Sequence, residues 1–342
     1  MSASVCLAAL MLLGQSTTGA VGDDKVNQLS DDIKQTMTLF ESLKTGLKTE
    51  QEAKTLVSNL GEKLTIIAQA AEKAQAQAKS DDIKAKLAMV RFEALANGVQ
   101  TPTQLEVLAG EIATKYKESA GLCPSIEKLT FSQFIGQDKY GVVDAILKQS
   151  KNPEVVASAY LANYFSQMMS DSPDINKYKT LSDTYPKTKA GQRAGRIYTY
   201  RTKLGLSSPM PDLDLELITG FKFKVSSLLG RVVVLDFWGM WQPACVAEIP
   251  EIKKYNALYP SKIAWIGVNT DGCTKGYLTQ QLSSMGANWQ TVYGGSPTGQ
   301  LPMDLGIIAY PSKIIIDSFG IVRYVPSIRD WRPVLDEALS KA

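Results

Sequence analysis

The side chains able to do chemistry are few in this chain of 342 residues, and their types narrow the possibilities early. There is no histidine, which removes Ser-His-Asp and Cys-His nucleophile arrangements. The cysteines are Cys6, Cys123, Cys245 and Cys273, and no two of them form a Cys-x-x-Cys pair. With histidine missing as well, the common zinc and haem ligand patterns are absent, and neither a metal nor a cofactor is expected. What remains is thiol and carboxylate chemistry. It gathers in one stretch, Asp236-Phe-Trp-Gly-Met-Trp-Gln-Pro-Ala-Cys245, followed by Glu248 and Pro250. A thiol there is a candidate for monothiol exchange or peroxide reduction, but a dithiol cycle needs a second sulfur close by.

The pattern around this stretch supplies the elements that would hold it. Val232 to Phe237 is a continuous apolar run, as in a strand buried on both faces, and Ile263 to Val268 is another. Val246 to Tyr259 between them reads as a helix, which makes a strand-helix-strand unit with a parallel pair and a right-handed crossover. Before it, Leu213, Leu215 and Leu217 alternate with charged residues, and Phe221 and Phe223 alternate with lysines, as in half-buried strands. After it come a helix from about Lys275 to Gly286, strands at 313–316 and 321–325 joined by a turn at Ser318-Phe319-Gly320, and a helical tail from Arg329.

Upstream, from Asp24 to about Leu204, the period is helical. Val26, Leu29, Ile33, Met37, Phe40, Leu43 and Leu47 recur at three- and four-residue steps. Thr101-Pro102 and Asn152-Pro153 read as helix starts. Gly98, Gly121 and Gly205 sit where helices should stop in a left-handed cap. Seven to nine helices are expected, arranged as an irregular bundle or as hairpins; Pro153 to Leu204 resembles a degenerate tetratricopeptide-type hairpin. Ser207 to Pro211 breaks helix propensity and reads as a linker, so the domains predicted are 24–204, all helical, and 205–342.

Basic and acidic residues number 37 and 34, leaving a net charge of +3. No broad footprint for nucleic acid is present. The basic run from Lys187 to Lys203 reads as a solvated helix face rather than a docking stripe. Residues 1–20 carry no charged side chain, and their apolar run Val5 to Leu13 followed by small residues resembles a secretory signal. Export to a periplasmic or other extracytoplasmic compartment is expected. The run is too short to span a bilayer, and membrane association stays open.

The segment Asp236-Phe237-Trp238, with Trp241, Cys245, Glu248 and Pro250, Pro311 before the late strand and Asp317-x-x-Gly320, resembles the extracytoplasmic thioredoxin-like (redoxin) proteins of the TlpA and ResA type. The resemblance implies an α/β thioredoxin-like fold, a central mixed sheet flanked by helices, C-terminal to an all-α domain. It places Gln242 where the family has its first, attacking cysteine and Cys245 where it has the resolving one. Pro243 at the first helical position preserves the turn. Asp236 matches the buried acid that assists the second thiol, and Glu248 a family acid tuning the same site; two carboxylates near one thiol should keep Cys245 sluggish. Tyr310-Pro311 matches the cis-proline whose backbone meets an extended substrate segment, with Trp241 lining the groove and Trp238 in the core.

Cys273 lies in a loop at the carboxyl end of a predicted parallel strand, where it could approach Cys245. A bridge would require Cα atoms within about 7 Å, and the expectation is an exposed loop thiol instead. The function expected is that of an exported member of the thiol-disulfide oxidoreductase family without dithiol catalysis. It would bind a peptide or protein partner in the cell envelope. The alternatives are a monothiol enzyme using Cys245 with or without Cys273, and a helical scaffold for envelope assembly.

Overall fold

The computed structural model describes residues 21–44, 48–98, 102–126, 141–167, 174–295, 299–326 and 330–342. The signal-like segment 1–20, Leu47, Thr101 and Arg329 lie outside the described residues. The chain divides into two compact units, Met1–Pro173 with Thr180–Ala194, and Asp174–Lys179 with Gly195–Ala342.

In the helical part of the chain the described residues form α1 (Asp23–Lys44), α2 (Glu50–Gln77), α3 (Asp81–Asn97), α4 (Pro102–Lys115), α5 (Val142–Gln149), α6 (Pro153–Ser166), α7 (Asn176–Thr184) and α8 (Lys189–Lys203). The division between the units falls within α7 and again within α8. The apolar period of α1 does what its spacing predicts: Val26, Leu29 and Ile33 are buried, with Met37 and Phe40 packed at the core margin. Local chemistry fixes the helix starts. Thr49 and Glu52 form a reciprocal capping box at α2. Asn152 accepts the Glu154 N–H at 3.0 Å, with Pro153 in the first helical position of α6.

The three glycines expected in left-handed caps are not there. Gly98 caps α3 in an extended conformation, at φ −90° and ψ 176°, and neither Gly121 nor Gly205 has a positive φ. Gly121 is required by a close approach: a Cβ on it would lie 2.2 Å from the Asp82 carbonyl oxygen.

The second unit is built on a five-stranded sheet in the order β5-β4-β3-β6-β7, where β3 is Val232–Trp238, β4 Ile263–Asn269, β5 Gln290–Tyr293, β6 Ser312–Ile316 and β7 Val322–Tyr324. β3, β4 and β5 are parallel, while β6 is antiparallel to β3, and β7 to β6. Helix α9 (Pro243–Leu258) links β3 to β4, α10 (Lys275–Ser284) links β4 to β5, α11 (Gln300–Leu305) precedes β6, and α12 (Arg332–Ser340) closes the chain. A hairpin of β1 (Asp214–Glu216) and β2 (Lys222–Lys224) stands before them. This is the thioredoxin-like arrangement, a mixed sheet with flanking helices.

β3 and β4 are buried at every residue. Val233, Leu235 and Phe237 face one core with Ile266, Ile314 and Ile316. Val232 and Val234 face the other with Trp265, Ile315 and Trp331. Both sheet edges are partly covered from within the unit. The segment read as a linker runs along β7, with Val322 N–H donating to the Ser208 carbonyl at 2.9 Å and Ser207 N–H to the Val322 carbonyl at 2.8 Å. Ile218 N–H donates to the Thr291 carbonyl of β5 at 2.9 Å. These bonds occupy part of each edge, which limits strand addition there.

Candidate functional site at the β3 to α9 turn

β3 delivers its last residue, Trp238, to the carboxyl end of the sheet, and a tight turn leads into α9. The turn is held from beneath by Asp271, whose carboxylate accepts the Met240 N–H at 2.7 Å and the Trp241 N–H at 3.3 Å. The Asn269 amide donates to the same carboxylate. Gly239 admits the indole of Trp241, since a Cβ there would lie 2.2 Å from Trp241 Nε1. Gln242 is the N-cap of α9, extended at φ −106° and ψ 109°, and its side chain caps no backbone N–H. Pro243 follows in the first turn, exposed.

Trp241 is 45% exposed, and its ring meets that of Tyr310 edge-on at 5.4 Å. The Tyr310–Pro311 peptide bond is cis, as expected from the sequence. Burial pushes the Tyr310 phenol pKa upward, a hydrogen bond with the Thr270 side chain opposes that, and Cys245 adds to it. Trp241, Gln242, Pro243, Tyr310 and Pro311 thus lie around the turn, with the first and fourth in direct ring contact.

Cys245, in the first turn of α9, is buried, at 2% exposure. Its thiol pKa is pushed up to about 11. Burial is the largest cause; Asp236 and Glu248 add to it, while a hydrogen bond from the Gly239 backbone and the Lys313 ammonium pull the other way. The direction matches the expectation, but its main source is desolvation rather than the two carboxylates.

Asp236 in β3 and Glu248 in α9 converge on Lys313 of β6. The Lys313 Nζ lies 3.0 Å from Asp236 Oδ1 and 2.5 Å from Glu248 Oε2. Trp265 Nε1 donates to Asp236 Oδ2 at 3.1 Å, and Trp331 Nε1 to Glu248 Oε1 at 3.2 Å. Lys313 is paired in register with Asp236, Asp236 with Gly267, and Gly267 with Thr291, so these four form one row across β6, β3, β4 and β5. Burial raises the Asp236 pKa, and Lys313 and Trp265 oppose it. For Lys313 burial works downward, but the two carboxylates together outweigh it and the net direction is up. The buried ammonium donates a hydrogen bond to Glu248 and meets Asp236 Oδ1 as an ion pair, so two carboxylates compensate its charge.

The structure therefore brings Cys245, Asp236 and Glu248 within electrostatic reach of one another. It corrects one expectation. Cys273 is not an exposed loop thiol but buried, at 4% exposure, in the same apolar cluster as Cys245, Trp238, Ile249 and Leu278. Burial, followed by Asp271, pushes its pKa up to about 12. Both thiols are free. Two residues were not foreseen, Lys313 and Asp271. Lys313 carried a signal: a lysine set in the run Ser312-Lys-Ile-Ile-Ile316, with no polar alternation after it. Among the described residues no group of three or more His, Cys, Asp or Glu side chains is placed to hold a metal ion. No described helix is long and apolar enough to cross a membrane.

Comparison with known proteins gives the class. The AhpC/TSA family model matches residues 206–325, so a redoxin domain of that family occupies the C-terminal part of the chain. Among individual proteins, the thioredoxin-like protein YneN of Bacillus subtilis is 24% identical over 144 residues, 42% of this chain and 76% of YneN. The thiol:disulfide interchange protein DsbE of Xylella fastidiosa is 31% identical over 121 residues, 35% of this chain and 59% of that protein. The match thus spans less than two thirds of this DsbE. A solved Chlorobium tepidum structure, described as a DsbE-type thiol:disulfide interchange protein, is 27% identical with a TM-score of 0.35, covering 40% of this chain and 99% of that one.

Proposed function

We propose that the C-terminal unit is a thioredoxin-like module that binds an extended segment of a peptide or protein beside the 239–245 turn without reducing or forming disulfides. The observation that carries this reading is Gln242 at the N-cap of α9. Dithiol exchange begins with a thiolate at an accessible helix N-terminus attacking a substrate disulfide, and an amide cannot make that attack. The one thiol in the turn, that of Cys245, is buried, and a pKa pushed up to about 11 keeps it protonated at neutral pH.

What survives is a surface. Trp241 and Tyr310 present aromatic area, and Val246 and Ile308 add exposed apolar side chains at 41% and 48%. Aromatic side chains of this kind are the usual anchors of binding surfaces. Chain from the same unit runs along the outer edges of β5 and β7, which favours the turn as the place for a partner. The charge-free segment 1–20 supports placing this activity outside the cytoplasm, with a partner in the cell envelope.

The test is retention of labelled, cysteine-free extended peptides by the full chain. Wild type retains a subset, and Trp241→Ala or Tyr310→Ala weakens binding by about tenfold, the effect of losing one aromatic anchor. Peptide retention unaffected by both substitutions contradicts the reading.

A second reading rests on the burial of Cys245 and Cys273 in one cluster, which would suit a thiol enzyme pairing the two internally. Mass spectrometry of the oxidised protein distinguishes it, since the present reading predicts both thiols free.

A further inference from the structure

Three of the four carboxylate oxygens of Asp236 and Glu248 accept hydrogen bonds, and the fourth, Asp236 Oδ1, meets the Lys313 ammonium as an ion pair. Lys313 Nζ contacts one oxygen of each, at 3.0 Å and 2.5 Å. The indole N–H groups of Trp265 and Trp331 take the remaining two, at 3.1 Å and 3.2 Å. The ammonium is enclosed by the same two rings, 5.9 Å from the Trp265 centroid and 5.0 Å from that of Trp331, and Lys313 is 2% exposed. Among the described residues, the charged and titratable groups that act electrostatically on or with Asp236 include Lys313 from β6 and Glu248 and Cys245 from α9, and Trp265 of β4 donates its indole N–H.

We propose that Lys313 is a positioning residue that locks this site a second time, by holding Asp236 out of proton transfer with Cys245. The inference rests on the non-catalytic reading above and deepens it. The substitution at position 242 removes the attacking sulfur, and Lys313 immobilises the proton acceptor of the resolving step. Restoring the sulfur alone then yields a slow enzyme.

In the Gln242→Cys protein the introduced thiolate attacks a substrate disulfide; that S–S bond breaks, one substrate sulfur leaves as thiolate, and a mixed disulfide forms. To resolve it, Cys245 must lose its proton to a base. Its sulfur then attacks the introduced one, the mixed disulfide breaks, and the second substrate thiolate leaves. The protein ends as an internal disulfide and the substrate has gained two electrons. Added dithiothreitol returns the protein to the dithiol. Asp236 Oδ1 can take that proton only against the Lys313 ammonium 3.0 Å away, which favours the ionised carboxylate and so weakens it as a base. Lys313→Met keeps a side chain of similar length and frees one oxygen of each carboxylate.

The experiment follows insulin-disulfide reduction with dithiothreitol across pH 6 to 10 in the full chain. Gln242→Cys turns over slowly with a single ionisation in its pH profile. Gln242→Cys/Lys313→Met is faster by at least about tenfold, within the range of general-base assistance, and its profile gains a second ionisation. Adding Asp236→Asn removes both the gain and the second ionisation. Gln242→Cys/Lys313→Arg, which keeps the charge, stays slow. Where Lys313→Met does not fold, Lys313→Gln is read in its place.

A second ionisation already present with Lys313 intact overturns the lock, as does a folded Lys313→Met or Lys313→Gln double variant no faster than Gln242→Cys. Either result leaves the non-catalytic reading standing. That reading fails separately, if the unmodified chain itself turns over.

Discussion

At the scale of single residues, the account turns on what Gln242 and Cys245 cannot do. A thiol with its pKa pushed up to about 11 is only about one part in a thousand thiolate at pH 8, by the definition of the pKa. Alkylation of Cys245, followed by peptide mass spectrometry, should therefore rise about tenfold per pH unit between pH 7 and 10. An inflection below pH 9 contradicts this. Gly267 tests the packing of the same face. A Cβ on it would lie 2.7 Å from Trp289 Nε1 and 2.9 Å from Trp238 Nε1, and those rings meet edge-on at 6.0 Å. Gly267→Ala should cost about 1–3 kcal/mol, the usual penalty of overpacking, read by chemical denaturation. Cys245, Asp236, Glu248 and Gln242 were legible because they occupy fixed places around one turn. Lys313 was marked only by its place in an apolar run, and its pairing was not legible, since Asp236 lies across a β3 to β6 register that no local spacing encodes.

At the scale of elements, the β6 to β7 turn shows how a carboxylate can fix a hairpin. Asp317 Oδ1 accepts the Phe319 and Ile321 N–H groups at 2.9 Å and 3.0 Å, and its other oxygen accepts from Arg323 Nε at 2.7 Å. Burial works to raise its pKa, but the Ile321 and Phe319 N–H groups and Arg323 outweigh it and the net direction is down. The sign follows. A carboxylate with a depressed folded pKa contributes stability that is full above its unfolded pKa of about 3.9 and is lost as pH falls through the folded value. Asp317→Asn should thus be less stable by about 1–2 kcal/mol at pH 7, with the difference shrinking below pH 4. A constant difference across that range contradicts the assignment. The strands buried on both faces were readable from their apolar runs, and α6 from Asn152-Pro153. β5 and α11 were missed: the first is four residues at a sheet edge, and the second is six residues with Pro302 inside, too short for either period to register.

At the scale of the molecule, the place where the chain divides was less legible than the folds on either side. The sequence puts the boundary at Gly205, where helix-breaking residues begin. Tyr200 and Leu204, however, pack against the core that holds Val233, Leu235 and Ile314, and Arg201 donates to the Met303 carbonyl at 2.5 Å. A fragment beginning at Gly195 should therefore be more stable than one beginning at Gly205 by about 2–3 kcal/mol, the order expected for burying two such side chains. All five tryptophans, Trp238, Trp241, Trp265, Trp289 and Trp331, lie in this unit, so their fluorescence reports its unfolding directly. Equal midpoints for the two fragments contradict the packing argument. The central claim, that the turn binds but does not exchange, is tested most directly by insulin-disulfide reduction with the purified wild-type chain beside Gln242→Cys. Wild type should not exceed the dithiothreitol background while Gln242→Cys does; a wild-type rate equal to that of the variant contradicts the account.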